Sequence, residues 1–325
     1  MSPNRLPGLL RTAVATLAVA LLAAGCKVPT GGTAAVSEAT TTHDLAAVRV
    51  ADADGGPRID VPHPFAVEET TSRIVAQGDG AAVGLGQQVT FRYIAVNGTD
   101  GQPLLDKTWK GDPTTVILGA KGNMPGLDEG LRDLTVGSRA LVAIPPDAGY
   151  GVKGNPGLGV GPTDTIVCLV EVLGTQELLT KAQGKAVTPK KGLPTVKRAA
   201  TGVPTVTLPK GAAPGSLVVQ PLIAGTGGAI GKGDLVTVQY VGVVWPGGRV
   251  YDTSWGKDKP LQVHVGTGET IAGWDGLLGQ KVGSQVMLVV PPDKAYGAEG
   301  NDKYGVKATD TLVFVIDVLA TRKPV

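Results

Sequence analysis

The chain has little of what most catalytic chemistry requires. Its two cysteines, Cys26 and Cys168, lie far apart in unlike surroundings. Neither a disulfide framework nor a cysteine metal motif can be built from them. The three histidines, His43, His63 and His264, are scattered without ligand spacing, which argues against a metal site and against a Ser-His-Asp arrangement. Thirty Lys and Arg stand against 28 Asp and Glu, with no basic patch beyond short pairs. That balance argues against nucleic acid as the main partner. Phenylalanine occurs only three times, while glycine (48) and proline (24) make up more than a fifth of the 325 residues. Such a composition favours turns, short strands and connectors over large helical cores. Hydrophobic content is still 42%, enough for a folded protein, and the length suits two ordinary domains.

Residues 1–26 read as an export signal. Arg5 and Arg11 give a positive start, and Thr12–Ala24 is an apolar run too short to span a bilayer. Its end, Leu22-Ala-Ala-Gly-Cys26, resembles the bacterial lipobox. That resemblance implies lipidation of Cys26 and a mature protein anchored by acyl chains on the outer face of the bacterial cell membrane. Residues 27–63, rich in Thr, Ala, Gly, Ser and Asp, are expected to be a flexible tether. His43 and His63 lie in or beside it and carry no assigned role.

Two periodic regions follow, 64–176 and 205–325, joined by a basic, proline-containing linker over 177–204. The second region repeats the first at an offset of 146 or 147 residues. Tyr93 recurs as Tyr240, Asp106 as Asp252, Val136-Gly-Ser as Val282-Gly-Ser, Pro145-Pro-Asp as Pro291-Pro-Asp, and Tyr150-Gly as Tyr296-Gly. A period this long means tandem copies of one globular domain.

Strands read at 87–96, 115–118, 139–144 and 165–173 in the first copy, with a helix over Leu127–Leu134. In the second they read at 216–223, 234–244, 261–265, 284–290 and 311–319. Within Glu269–Leu278, the residues Ile271, Trp274 and Leu277/Leu278 recur at helical spacing, which predicts about two to three turns. Gly273 would let that helix approach its neighbour closely. Strand pairs joined by glycine turns plus one helix give an α+β domain with an antiparallel sheet. Trp274 reads either as an ordinary core residue or as the floor of a pocket walled by Tyr240, Tyr251, Tyr296 and Phe314.

The motifs Val238-Gln-Tyr-Val-Gly242, Val250-Tyr-Asp-Thr-Ser254, Glu269-Thr-Ile-Ala-Gly-Trp274, Pro291-Pro-Asp-Lys-Ala-Tyr-Gly297 and Thr311-Leu-Val-Phe314 stand in a characteristic order. In order and spacing they resemble FKBP-type peptidyl-prolyl isomerases over nearly all of residues 216–321. The resemblance implies two tandem FKBP-like α+β domains, each an antiparallel sheet curved around one short helix. It implies catalytic positions at Tyr240, Tyr251, Asp252, Ile271, Trp274, Tyr296 and Phe314. Thr270 falls where the family usually has valine, and Leu261 and Val263 where two pocket-wall aromatics usually stand. The loop Glu299–Lys307 replaces a proline-containing flap. In the first copy Tyr93, Asp106 and Tyr150 match. Leu127 takes the Trp position, Leu105 the Tyr251 position, Met124 the Ile271 position and Cys168 the Phe314 position. Cys168 sits in an apolar strand and reads as a buried, inert thiol.

The implied activity needs no nucleophile, metal or cofactor. An X–Pro bond interconverts over ~18–20 kcal/mol, and a dry aromatic pocket solvates the twisted amide better, relative to the planar one, than water does. The implied partners are proline-containing segments of exported proteins and, at the second domain, macrolide inhibitors. A non-enzymatic module that grips proline-containing peptides stands beside this reading.

Overall fold

β-Branched runs cut by glycine turns favour sheets over helices. The structure, a computed structural model, describes residues 41–105 and 107–324. Cys26, the expected signal segment, the tether up to residue 40 and Asp106 lie outside the described residues. The first half carries strands β1 (Arg49–Ala53), β2 (Gly56–Asp60), β3 (Thr71–Ala76), β4 (Gln88–Asn97), β5 (Pro103–Leu105), β6 (Thr114–Ile117), β7 (Arg139–Ile144) and β8 (Ile166–Gln176). Two short helices, α1 (Lys107–Lys110) and α2 (Pro125–Leu131), interrupt them. The second half carries β9 (Lys185–Ala186), β10 (Thr195–Arg198), β11 (Pro204–Thr207), β12 (Val218–Ala224), β13 (Leu235–Trp245), β14 (Val250–Thr253), β15 (Leu261–His264), β16 (Gln285–Val290) and β17 (Thr311–Arg322). Among the described residues no helix is long and apolar enough to cross a membrane.

The two halves are copies in register as well as in sequence. Strand order is β3-β7-β8-β4-β5 in one sheet and β14-β13-β17-β16-β12-β9 in the other, with β6 also on β4 and β15 also on β13. Tyr93 lies opposite Val170, as Tyr240 lies opposite Ile316. One face of each sheet packs on its helix. In the first half Phe91, Leu131, Val142 and Val170 are fully buried there, and in the second Leu277, Val286, Leu288 and Ile316.

Glycine sets the helix-to-sheet distance. A Cβ on Gly273 would lie 2.3 Å from Val290 Cγ1, and one on Gly130 2.3 Å from Val142 Cγ1. The first helix, expected over Leu127–Leu134, starts two residues earlier and ends at Leu131, before Asp133 at φ 67°. The second, expected as two to three α-helical turns, is a six-residue 3-10 segment, Ala272–Leu277. Gly273 and Gly276 within it lower the α-helical preference, and tertiary packing decides the local form.

The opposite face of each sheet is covered by a β-hairpin that precedes the domain. Residues 41–63, expected as tether, are folded: β1–β2 packs Val50 and Ile59, with buried Leu45, Val48 and Val61, onto Ile94, Leu141 and Leu169. Arg73 donates to the carbonyls of Leu45 (3.0 Å) and Val48 (2.7 Å), fixing the approach. The expected linker is likewise folded. Its β9 pairs with β12, and β10–β11 lays Val196 and Val206 on Val241, Val243, Met287 and Val315. These segments are rich in turn-forming residues, and their few apolar side chains are buried only by tertiary contact. Trp109 and Trp255 occupy matching places beneath the two hairpins.

Candidate functional site

Strands β13, β14 and β17 bring the aromatic residues of the second domain together. Tyr240 lies on β13, Tyr251 and Asp252 on β14, and Phe314 on β17 opposite Gly242. Gly242 makes this crowding feasible, since a Cβ there would sit 2.8 Å from the Tyr251 ring and 3.3 Å from Phe314. Trp274 rises from the 3-10 segment beneath them. Its ring stands edge-on to Tyr240 at 5.3 Å and 80°, and to Phe314 at 5.4 Å and 83°. Tyr251 meets Phe314 in the same manner at 6.0 Å and 78°. Such T-shaped pairs add about 0.5–1.5 kcal/mol each beyond area burial and fix ring orientation. Together with Leu261, Thr270, Ile271 and Tyr296 they line a cavity of about 380 Å³.

One polar corner breaks the apolar wall. The Tyr240 hydroxyl donates to the Asp252 carboxylate in a short hydrogen bond. Asp252 also accepts from Lys257 Nζ at 2.9 Å and from the Thr253 N–H at 2.9 Å. Partial burial pushes the Asp252 carboxyl up, but the bonds from Tyr240 and Lys257, with the lysine's charge, outweigh it and leave the group below its ordinary value. Tyr240 is pushed up by burial first and by Asp252 second. Tyr251 is raised by burial, then by its tyrosine neighbours, and Tyr296, to which it is hydrogen-bonded, is raised by burial too. Asp252 is therefore a carboxylate and the tyrosines are neutral donors. The corner can orient a carbonyl or an amide but holds no acid or base poised near neutral pH.

Of the sequence-predicted residues, Tyr240, Tyr251, Asp252, Leu261, Thr270, Ile271, Trp274, Tyr296 and Phe314 line this one cavity. Val263 does not. It shares one face of β15 with Leu261 but lies two residues further along the strand, buried in the core, and only Leu261 reaches the cavity. Three residues escaped sequence reasoning. Lys257 reaches Asp252 from the following loop, Tyr304 stacks edge-on to Tyr251 at 6.0 Å, and Glu269 lines the cavity while accepting from His264 Nδ1 at 2.8 Å. Tyr304 carried a readable signal, as an aromatic residue in the loop that replaces the flap. Lys257 carried none, and Glu269 stood at the head of the motif Glu269–Trp274 without a role of its own.

The first domain gathers Tyr93, Met124, Leu127, Tyr150 and Cys168 around a cavity of only about 70 Å³. Burial pushes the Cys168 thiol up to about 12, consistent with an inert sulfur. The register corrects one assignment, that of Leu105. Leu105 lies opposite Ala95, as Asp252 lies opposite Gly242, so Leu105 holds the backbone place of Asp252. Leu104 therefore takes the place of Tyr251, and it lines the cavity. Asp106, expected as the counterpart of Asp252, lies outside the described residues. The β-bulge between Ala95 and Val96 carries the same offset as that between Gly242 and Val243, which fixes this alignment.

The family model of FKBP-type peptidyl-prolyl cis-trans isomerases matches residues 80–173 and 227–319. The chain belongs to this family. It is an FKBP-type peptidyl-prolyl cis-trans isomerase with two tandem domains of α+β fold. An FK506-binding protein of Streptomyces anulatus is 38% identical over 118 residues, covering 36% of this chain and 95% of the relative. A probable FK506-binding protein of Corynebacterium glutamicum is 39% identical over 118 residues, covering 36% and 97%. A crystal structure of the three FKBP domains of wheat FKBP73 covers 78% of this chain and 95% of its own, at a TM-score of 0.33 and 18% identity. Both matched FKBP segments begin after their hairpins, so β1–β2 and β10–β11 lie outside the family boundaries.

Proposed function

We propose that the second domain is the principal isomerase and that it acts on X–Pro bonds of exported proteins, while the first domain binds peptide weakly or positions the client. The observation that carries this reading is the contrast between the two pockets. The second is a cavity of about 380 Å³ walled by Tyr240, Trp274 and Phe314, with a charged Asp252 at its corner. The first is only about 70 Å³ and keeps Tyr93 and Tyr150, with Leu104, Leu127 and Cys168 where the second has aromatic walls.

The chemistry follows from the lining. Trp274 floors the pyrrolidine ring, and Tyr240 and Phe314 wall it. As the X–Pro amide twists, resonance and part of its dipole are lost, so an apolar enclosure favours the twisted form relative to the planar one. The Ile271 N–H and the Tyr296 hydroxyl hold substrate carbonyls. Asp252 fixes Tyr240 and faces the rotating amide. Each tenfold in rate takes about 1.4 kcal/mol, so a few such contacts suffice without a covalent step.

The lipobox resemblance at Leu22–Cys26 supports a lipid anchor at Cys26 and a place on the outer face of the bacterial membrane, where prolyl isomerisation limits folding of exported chains. The names of the FK506-binding relatives support macrolide affinity in the same second-domain cavity. The test uses two fragments that keep their hairpins, residues 41–176 and 181–325, in a cis/trans assay on a short X–Pro peptide. Catalysis by the second fragment alone supports the assignment. Equal catalysis by both would overturn the division of labour, and a folded but silent second fragment would move the protein to a proline-peptide-binding module. Loss of acyl labelling in Cys26→Ser tests the anchor.

A further inference from the structure

The described residues of both domains fall in one compact unit. They meet where the start of β13 faces the start of β4. There Thr237 Oγ1 donates to Gln88 Oε1 at 2.8 Å, with Thr237 fully buried and Gln88 nearly so. A buried hydrogen bond of this kind is costly to leave unmade, so it fixes the contact. At the same boundary the first domain extends Lys121, from the turn between β6 and α2, to Asp258 of the second domain at 3.1 Å. Asp258 belongs to the loop between β14 and β15 that also carries Lys257 and Lys259.

These residues line a second hollow, of about 520 Å³, directly beside the aromatic cavity. Tyr240 and Leu261 line both, so the two hollows adjoin. Three lysines, Lys121, Lys257 and Lys259, face one aspartate, Asp258, in the second. Lys257 is held by Asp252, and Lys121 is more than three-quarters exposed despite its ion pair. This adjoining hollow therefore keeps cationic character beside the aromatic cavity.

We propose that Lys121 of the first domain completes a cationic subsite beside the second domain's aromatic cavity, selecting clients with an acidic residue flanking the proline. This rests on the assignment of catalysis to the second domain. It also gives the tandem arrangement a role: the first domain supplies specificity to its neighbour's pocket, not only a weak pocket of its own. Exposed charge pairs change affinity modestly and are screened by salt.

The test uses the full chain and a pair of X–Pro peptides differing only in a flanking Glu or Ala. The readout is the ratio of kcat/KM for the acidic to the neutral peptide. The parent should favour the acidic peptide by roughly two- to fivefold at low salt, with the preference fading as ionic strength rises. Lys121→Gln should bring the ratio toward one, Lys121→Arg should keep it, and Asp258→Asn, which frees Lys121, should raise it. Opposite shifts from the two ends of one ion pair separate charge selection from a general loosening of the domain contact. A ratio unmoved by both Lys121→Gln and Asp258→Asn overturns the subsite. No turnover of either peptide by the parent overturns the underlying assignment of activity instead.

Discussion

The Tyr240 hydroxyl is hydrogen-bonded to the Asp252 carboxylate, and the two side chains reach one another from adjacent strands because β13 and β14 pair with Gly242 opposite Asp252. Tyr240→Phe removes this bond while keeping the ring that stands edge-on to Trp274. A hydrogen bond to a charged group contributes about 1.5–3 kcal/mol. The variant should lose roughly tenfold or more in kcat/KM on an X–Pro peptide, with a circular-dichroism spectrum like the parent's. Unchanged turnover would make the bond purely structural.

Trp274 tests the floor of the pocket. Trp274→Leu copies the first domain's Leu127 into the second. The indole is nearly buried and touches both Tyr240 and Phe314, so the exchange should cost about 2 kcal/mol of stability and leave a folded domain. Turnover should fall by at least tenfold, beyond what the stability loss explains at 25 °C. Equal turnover in variant and parent would remove the indole from the mechanism.

The strand pattern and the pocket were readable because they share one cause. Alternating apolar residues place Tyr240 and Phe314 on the helix-facing side of their strands, and the duplication marks the same places twice. What escaped reading depends on contacts distant in sequence. Leu104 rather than Leu105 takes the place of Tyr251 through one bulge, whose position no local pattern reveals. The hairpins β1–β2 and β10–β11 sit in composition typical of loops, and Trp109 and Trp255, which give them something to pack on, lie some fifty residues further along the chain. Lys257 joins Asp252 only once its loop has folded back.

The directions of the pocket's pKa shifts predict a level pH profile. Asp252 lies below its ordinary value of 3.8, and Tyr240, Tyr251 and Tyr296 lie above 10.0. None of the four changes charge between about pH 5 and pH 9, so kcat/KM should be flat there. The sign for stability follows from the lowered carboxylate: its contribution is complete above the unfolded value of 3.8 and is lost as pH falls through the lower folded value. The stability advantage of the parent over Asp252→Asn should therefore vanish only in strong acid. A step in kcat/KM inside the flat range would mean that a group other than these four takes part in substrate binding or turnover.

The hairpin on the second domain is locked by a buried charge. Asp317 on β17 is 1% exposed and accepts from the Ala182 N–H at 2.7 Å and from Gln285 Nε2 at 2.7 Å, with Arg198 Nη2 of β10 at 3.7 Å. Burial raises its carboxyl above the ordinary value, against the pull of Ala182, Gln285 and Arg198. The first domain reverses the polarity, with Arg139 on the sheet and Asp52 on the hairpin at 2.9 Å, and there the aspartate is exposed. Arg198→Ala should cost about 1–3 kcal/mol at neutral pH, because it strands a buried carboxylate, whereas Asp52→Ala should change stability little. A raised carboxyl favours the folded state fully below the unfolded value of 3.8 and loses that contribution as pH rises through the folded value. Removing Arg198 raises the folded value further, so the deficit of Arg198→Ala should grow from pH 3 to pH 7 in denaturant titrations. A deficit independent of pH would assign Arg198 a packing role over the hairpin and leave the charge of Asp317 without a part in holding it.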